Sequence, residues 1–371
     1  MQRIGPSLAL VGVVSRIEEG TRADRRQSVD DWERQRDELL GRRISELELR
    51  VQGSPVERLV ERLYAELAER GLVFRPPVYL TDEWGCPEGV AAIGVPFFLA
   101  DRRLERMERE LAVVLEEEDD PMRIMRHEAG HAFNYAYRLH DRPEWRRLFG
   151  PYSRPYRERF RVDPFSRDHV RNIMGWYGQK HPDEDFAETF AVWLTPGIDW
   201  HARYRGWPAL RKLEYVDAVL MEVKDIEVEV PRIHAEHLPV ESINATVGEY
   251  YAGWEDALPL GEPSHFDGDL RNIFPAAGAA RAAGMEGAEP AGSFIDRHRR
   301  ELVRRIAYWT GETTYVVRQF IDHLRERAEA LELTWSGSEA DTLIELTAFG
   351  TAVIMNYRYT DELGHDMAEG A

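Results

Sequence analysis

The chain of 371 residues carries 67 acidic and 48 basic side chains, which give a formal net charge of -19. A surface this acidic repels nucleic-acid phosphates and anionic membranes, and so argues against both as partners. A hydrophobic content of 43% and an aromatic content of 11% allow a sizeable core. The length predicts two or three domains of a globular protein.

The chain contains a single cysteine, Cys86, so it can form no internal disulfide and no zinc site built from several cysteines. Any metal must therefore be held mainly by histidine and carboxylate. We interpret Cys86 as a buried thiol, in preference to a cysteine that caps a catalytic zinc. The apolar run from Ile4 to Val14 lacks a signal-peptide cleavage pattern, which favours a cytoplasmic location over secretion. No apolar stretch approaches the roughly 20 residues that span a bilayer.

The N-terminal module, residues 1–74, is predicted to be a helical hairpin. Leucines recur at helical spacing on both sides of Gly53-Ser54-Pro55. Short apolar runs at Val78–Leu80 and Val95–Leu99 then predict strands of a small sheet. Proline at position 96 places the second strand at an edge of that sheet.

Several helices are predicted beyond the sheet. A charged helix follows from Asp101 to Glu118, and Asp120 and Pro121 suit the N-cap and first position of the next helix. A loop-rich stretch leads to further helices that begin near Pro182 and near Trp207.

The C-terminal part, residues 231–371, is predicted to be a mainly helical module. Residues 275–293 are rich in proline, glycine and alanine without periodicity, which is typical of a flexible linker. Apolar residues at helical spacing within 316–331 and 343–354 predict two amphipathic helices that pack a core.

The main candidate for chemistry is His127-Glu128-Ala129-Gly130-His131, an H-E-x-x-H motif within a strong helical pattern. Residues four apart share one face of a helix, so His127 and His131 can bind one zinc ion together. Glu128 lies one step round the helix, where it can take a proton from the zinc-activated water and pass it to the leaving amine. Such a motif also arises by chance, so its context must decide.

A catalytic zinc requires a third protein ligand. The metzincin arrangement is excluded because Asn134 and Tyr137 occupy the positions of its glycine and third histidine. The other arrangement takes a glutamate from a second helix, and residues 181–190 place Glu184 and Glu188 on one helix face. We predict that Glu184 binds the metal and that Glu188 holds a ring N–H of a ligand histidine. Alternatively, these acids only stabilise the N-terminus of an exposed helix.

These motifs resemble the gluzincin metallopeptidases, in particular the protease domain of anthrax lethal factor. That family has H-E-F-G-H, then a tyrosine-glycine pair and residues similar to E-x-F-A-E. This chain has the motif at 127–131, Tyr177-Gly178, and Glu-Asp-Phe-Ala-Glu at 184–188. The resemblance covers about 78–224 and implies that Tyr177 stabilises the developing oxyanion. His201 is the second candidate for that role.

The sequence therefore predicts an α+β protein with a zincin-like core at 75–230, in which a small sheet packs on the active-site helix. The predicted function is a zinc metallopeptidase, a protease that hydrolyses a peptide or protein substrate with one Zn²⁺ per chain. Two alternatives stay open: a zinc amide hydrolase acting on a small or modified peptide, and an inactive zinc-binding interaction protein. The intact Glu128 argues against the second.

An arginine-rich stretch separates the predicted zinc ligands. Between Arg142 and Arg171, nine arginines stand against four acidic residues. We favour ion pairs with the protein's own carboxylates over a surface for an acidic peptide. The aromatic residues before the third ligand are interpreted either as a substrate wall or as loop anchors; they are Tyr152, Tyr156, Phe160, Phe165, Trp176 and Tyr177.

Overall fold

The structure is a computed structural model that describes residues 31–111, 120–157, 160–173, 175–229, 231–252, 264–276, 289–312 and 314–360. It is mostly helical with two small sheets, which agrees with the predicted α+β class. The chain divides into two compact units, and the described part of the smaller one consists of residues 31–48 and 241–252. No helix of the described ranges is long and apolar enough to cross a membrane.

Helices make up most of the secondary structure in the described ranges, and short strands interrupt them at a few places. The described helices are α1 (residues 31–40), α2 (Pro55–Glu69), α3 (Arg102–Leu111), α4 (Asp120–Ala136), α5 (Pro143–Phe149), α6 (Pro182–Leu194), α7 (Trp200–Arg203), α8 (Ala209–Val223), α9 (Val247–Ala252), α10 (Asp267–Ile273), α11 (Ala291–Thr310), α12 (Thr314–Ala330) and α13 (Glu339–Thr360). The described strands are β1 (Val78–Thr81), β2 (Ile93–Pro96), β3 (Glu289–Pro290) and β4 (Thr334–Trp335).

In the smaller unit, the residues that follow α1 pair with a segment far along the chain. The backbone N–H of Ile44 donates to the carbonyl of Ala245 at 3.0 Å, and that of Val247 donates to Arg42 at 2.9 Å. The hairpin predicted for residues 1–74 paired α1 with α2, but these helices belong to different units. A local hydrophobic pattern cannot indicate so distant a partner. The part of the prediction before residue 31 lies outside the described residues.

Strands β1 and β2 form a parallel pair in the larger unit. Their register runs from Val78 opposite Ile93 to Thr81 opposite Pro96. The first predicted strand is confirmed. The second, predicted at Val95–Leu99, is confirmed only at its start, because Phe97–Ala100 form a 3-10 helix. The two-stranded sheet leaves Pro96 on an edge strand. Every residue of β2 is buried. The loop between the strands lines a cavity next to α4.

Helices α4 and α6 pack against each other at the centre of the larger unit. The sequence begins α6 clearly, because Pro182 occupies its first turn and the His181 side chain accepts a hydrogen bond from the N–H of Asp183. Every residue of α6 is buried, although its first turn contains three acidic residues. Burial of so many carboxylates requires partners, and α4 supplies several of them.

Gly130 allows α4 to approach α6 closely. A Cβ added at Gly130 would lie 2.7 Å from the Cα of Ala187, 3.0 Å from the Cβ of Phe190 and 3.1 Å from the carbonyl oxygen of Ala187. All three atoms belong to the backbone or to the rigid base of a side chain, so none can move without shifting a helix. The glycine between Glu128 and His131 therefore sets the distance between the two helices.

We expect Gly130→Ala to destabilise the protein by about 1 to 3 kcal/mol, as overpacking of a tight core does. The loss should exceed the gain of about 1 kcal/mol that alanine normally brings to a helix interior. Gly268→Ala is the matched control, because Gly268 lies in α10 and has no atom within 4 Å of an added Cβ. Urea unfolding measures both variants. A Gly130→Ala protein as stable as the wild type would contradict this role.

Helix α2 is tied to α4 by a buried ion pair. Glu66 accepts two hydrogen bonds from Arg126, each at 2.7 Å, and both side chains are almost completely buried. A bidentate pair of this kind fixes the relative rotation of two helices. Arg126 immediately precedes His127, so the pair also holds the start of the motif in place.

Helices α11 to α13 pack around a core of their own, as the mainly helical prediction for residues 231–371 implies. Its largest fully buried side chains are Phe274, Phe294 and Phe320. The sequence predicted only two helices after the linker and missed α11. The linker prediction is wrong at 291–293, which begin α11; residues 277–288 lie outside the described residues.

The small residues at the start of α11 serve close packing. A Cβ added at Gly292 would lie 2.5 Å from the Cγ of Glu329 in α12, and the N–H of Ala291 donates to the carbonyl of Leu333 at 2.9 Å. Residues 291–293, whose composition resembles that of a linker, thus form the tightly packed first turn of α11.

The C-terminal helices contact the segment that precedes the third predicted ligand. A Cβ added at Gly175 would lie 2.5 Å from the Cα of Gly311, which ends α11. Both glycines have positive φ, 77° and 67°, so each position favours glycine conformationally as well as sterically. The close approach brings the end of α11 beside Trp176.

Candidate metal centre

Three buried side chains from α4 and α6 meet at one point. The Nε2 atoms of His127 and His131 lie 3.2 Å apart, and the Glu184 Oε2 lies 2.9 Å from the first and 3.2 Å from the second. Tetrahedral zinc with ligand bonds of 2.0 to 2.2 Å requires ligand separations of about 3.3 to 3.6 Å, close to these values. The residues therefore fit a single metal ion, and the described residues contain this one cluster of the kind.

The carboxylate of Glu188 contacts His127 at Nδ1, the ring nitrogen that does not face Glu184. Its Oε1 lies 2.9 Å from the Nδ1 of His127, so the imidazole directs Nε2 toward Glu184. Glu188 is itself fixed by the backbone N–H groups of Asn172 and Ile173, which donate to Oε2 at 3.2 and 2.8 Å. The contact predicted between Glu188 and a histidine ring nitrogen is therefore present, and outer carboxylates orient the histidines of metal sites through such contacts.

The second histidine has an outer carboxylate that was not predicted from the sequence. The Nδ1 of His131 lies 3.0 Å from the Asp183 Oδ2, an ion-pair distance with an angle too poor for a hydrogen bond. Asp183 accepts hydrogen bonds of 2.6 Å from both Asn134 and Tyr135, which follow His131 by about one helical turn. Their spacing of three and four residues was the available sign that they share the histidine's face.

Burial and the charges of neighbouring side chains shift the pKa values of His127, His131 and Glu184. Burial lowers the pKa of His127, but hydrogen bonds to Glu184 and Glu188 outweigh it and raise that pKa to about 9. Burial likewise lowers the pKa of His131, but Asp183 and Glu184 raise it well above its ordinary value. Burial raises the pKa of Glu184, but the two histidines hold it well below the usual range. A metal cation can replace the two imidazolium protons, because only a neutral imidazole can be a ligand.

Glu128 lines the cavity beside the cluster without belonging to it. Burial raises its pKa, and the neighbouring histidines oppose that shift. A carboxylate of raised pKa next to a metal site holds an accepted proton more firmly than an ordinary one, which suits a group that accepts a proton and later returns it. The position one step round the helix, predicted from the motif, is the one the structure gives.

The cluster opens into a cavity of about 590 Å³. The loop between β1 and β2 contributes Trp84 and Cys86 to its wall, and Cys86 donates its thiol hydrogen to the carbonyl of Val90 at 3.2 Å. Burial raises the pKa of that thiol well above its ordinary value. Cys86 is thus a free, hydrogen-bonded thiol in the cavity wall, and it lies outside the cluster of possible metal ligands.

Two tyrosines, Tyr156 and Tyr177, line the cavity beside the cluster. The Tyr156 hydroxyl donates to the Glu184 Oε1 at 2.6 Å. The ring of Tyr177 lies edge-on to His127 at 5.6 Å between centroids. Burial raises the pKa of Tyr177, so the phenol keeps its proton at physiological pH. The ammonium of Lys180 lies over both tyrosine rings, 4.4 and 5.2 Å from their centroids.

The other aromatic residues of this stretch have different places. Tyr152 also lines the cavity, whereas Phe165 is 89% exposed and Trp176 lines a second cavity. His201, the second candidate for the oxyanion role, lies on α7 and stacks on Trp200 at 3.6 Å between centroids. It is exposed and is not among the residues that line the cavity of the cluster.

Comparison with known proteins identifies no relative. No protein-family model, curated protein or solved structure matches the chain. The assignment of this centre therefore depends on its own geometry.

We expect Glu188→Gln to weaken metal binding by about 10- to 100-fold, the usual effect of removing an outer-shell partner of a ligand histidine. The amide occupies the same space but cannot balance the charge of the metal-bound imidazole. Competition with a fluorescent zinc chelator measures the dissociation constant. Glu214→Gln, on the adjacent helix α8 and outside the cluster, is the control. Equal affinities of the two variants would exclude Glu188 from the metal centre.

Proposed function

We propose that the protein is a zinc-dependent hydrolase of peptide bonds, a metallopeptidase with the ligand arrangement of the gluzincins. In this proposal His127, His131 and Glu184 hold one zinc ion, within a zincin-like core at 75–230. One observation carries the proposal: three buried donor atoms stand at nearly tetrahedral spacing, and a carboxylate contacts the outer nitrogen of each histidine.

A zinc ion held by His127, His131 and Glu184 would polarise a substrate carbonyl group and lower the pKa of a water molecule. Glu128 accepts the proton of that water and later donates it to the leaving amine, a role suited to its raised pKa. The carboxylate lies in a cavity wall, so a peptide bond entering from solvent can reach it. Glu128 thus acts first as the base that activates water and then as the acid that protonates the leaving amine.

Tyr177 is the proposed donor to the oxyanion of the tetrahedral intermediate. Its phenol keeps a proton at physiological pH, and its ring lies against His127 at the cavity wall. Tyr156 is less suited to this role because its hydroxyl already donates to the ligand Glu184. A single preorganised donor of this kind is worth roughly 3 to 4 kcal/mol of transition-state stabilisation.

Zinc content and zinc-dependent cleavage together test the proposal. The purified full chain should contain one zinc ion by elemental analysis and should cleave members of a peptide library detected by mass spectrometry. Removal of the metal with 1,10-phenanthroline should abolish cleavage, and added Zn²⁺ should restore it. A folded protein that binds no zinc when supplied with it would overturn the proposal. Bound zinc without cleavage of any peptide would favour the zinc-binding interaction protein.

A further inference from the structure

A second cavity, also of about 590 Å³, is lined by arginine and aromatic residues. Five arginines contribute to its wall: Arg62, Arg123, Arg126, Arg171 and Arg203. No acidic side chain is among the described lining residues. Because acidic residues outnumber basic ones by 67 to 48 in the whole chain, this concentration of positive charge is unusual for the protein.

In the described part of the chain, the contacts of four of these arginines include one carboxylate, that of Glu66. Glu66 receives hydrogen bonds from both Arg126 and Arg62, so two guanidinium groups share one carboxylate. Arg171 donates to the carbonyl of Pro164, which is neutral. The guanidinium of Arg203 lies over the ring of Tyr204 at 5.5 Å, also without a negative partner in that contact. The cavity therefore has a positive potential that an anion would neutralise.

This arrangement differs from the ion pairs that the sequence predicted for the arginine-rich stretch. Arg142 pairs with Glu222 and Arg147 with Glu144, so internal pairing is confirmed for these arginines. Arg171, at the end of the stretch, instead stacks on aromatic rings. Its guanidinium lies 5.3 Å from the Trp176 ring. Stacking leaves the edge of a guanidinium available for bidentate contacts with a carboxylate or phosphate.

Aromatic side chains form another part of the wall. Tyr308 and Trp309, at the end of α11, are 48% and 56% exposed, although large aromatic residues are usually buried. Their rings pack edge to face at 5.0 Å between centroids. With Trp176 they offer flat apolar surfaces beside the positive charge, which suits a ligand that combines an anionic group with a ring.

We propose that this cavity binds a small anionic ligand that carries a phosphate or carboxylate group attached to an aromatic or other flat apolar body. The guanidinium groups of Arg171 and Arg203 contact the anion, and the aromatic side chains at the end of α11 cover the ring. The site is independent of the proposed peptidase activity. It borders the metal centre, because Asn172 and Ile173 line this cavity and also hold Glu188.

Calorimetric titration of the full chain with three probes tests the proposal: phenyl phosphate, benzoate and inorganic phosphate. Phenyl phosphate or benzoate should bind at low ionic strength, more tightly than inorganic phosphate, and the affinity should fall as salt is added. The tighter of the two aromatic probes identifies the anionic group. The absence of binding by all three at millimolar concentration would overturn the proposal.

Two variants locate the binding. Arg203→Gln should weaken it about three- to tenfold, the usual range for loss of one hydrogen bond or ion pair at an exposed site. Arg205→Gln is the matched control, since Arg205 is also exposed but does not line the cavity, and it should leave the affinity unchanged. Equal affinities of wild type and both variants would place the anion elsewhere, for example on a metal ion, and would overturn the assignment. Thermal unfolding of each variant verifies that it is folded.

Discussion

Replacement of Glu128 with glutamine should strongly reduce peptide hydrolysis and leave the bound metal unchanged. The loss should be about 10²- to 10⁴-fold in kcat, the range for removal of a general acid–base catalyst. Glutamine has the size of glutamate but cannot accept a proton from water. The three possible metal ligands are His127, His131 and Glu184. Because Glu128 is not one of them, the metal should stay bound.

The measurement pairs initial rates on a cleaved library peptide with elemental analysis of the same preparation. Glu88→Gln is the matched control, because Glu88 is another carboxylate that lines the cavity but is exposed. It should retain most of the activity. A Glu128→Gln protein that cleaves the peptide at the wild-type rate would remove the proposed base and with it the mechanism.

Loss of His131 from α4 or of Glu184 from α6 should remove the metal. We expect His131→Ala and Glu184→Ala to weaken zinc binding by more than about 100-fold, beyond the range that outer-shell partners produce. With two ligands left, the site cannot complete the three protein contacts that a catalytic zinc needs. Elemental analysis after dialysis, together with chelator competition, measures the loss.

His201→Ala provides the control for these ligand variants. His201 is exposed and stacks on Trp200, so its loss should change neither zinc content nor cleavage. Because removal of His131 leaves the buried Asp183 without its cationic partner, the folded state of each variant must be verified by circular dichroism. A folded Glu184→Ala protein that binds zinc as tightly as the wild type would exclude Glu184 as a ligand.

The local parts of the metal centre were predictable because helical periodicity is a short-range property. A spacing of four residues places His127 and His131 on one face of α4, and the same spacing relates Glu184 to Glu188 on α6. The proline and acidic residues after His181 likewise mark the start of α6. These patterns determine which side chains can act together on one helix.

The sequence by itself thus determined the two helices, the residue types on their faces and the acidic, cysteine-poor character that limits the ligands to histidine and carboxylate. Only the tertiary structure decided that Asp183 contacts the outer nitrogen of His131 and that Tyr156 binds Glu184. It also decided that the residues after α1 pair with the segment before α9. The physical reason is the range of the interactions: periodicity acts within a few residues, whereas packing and buried charge join residues that the chain separates widely.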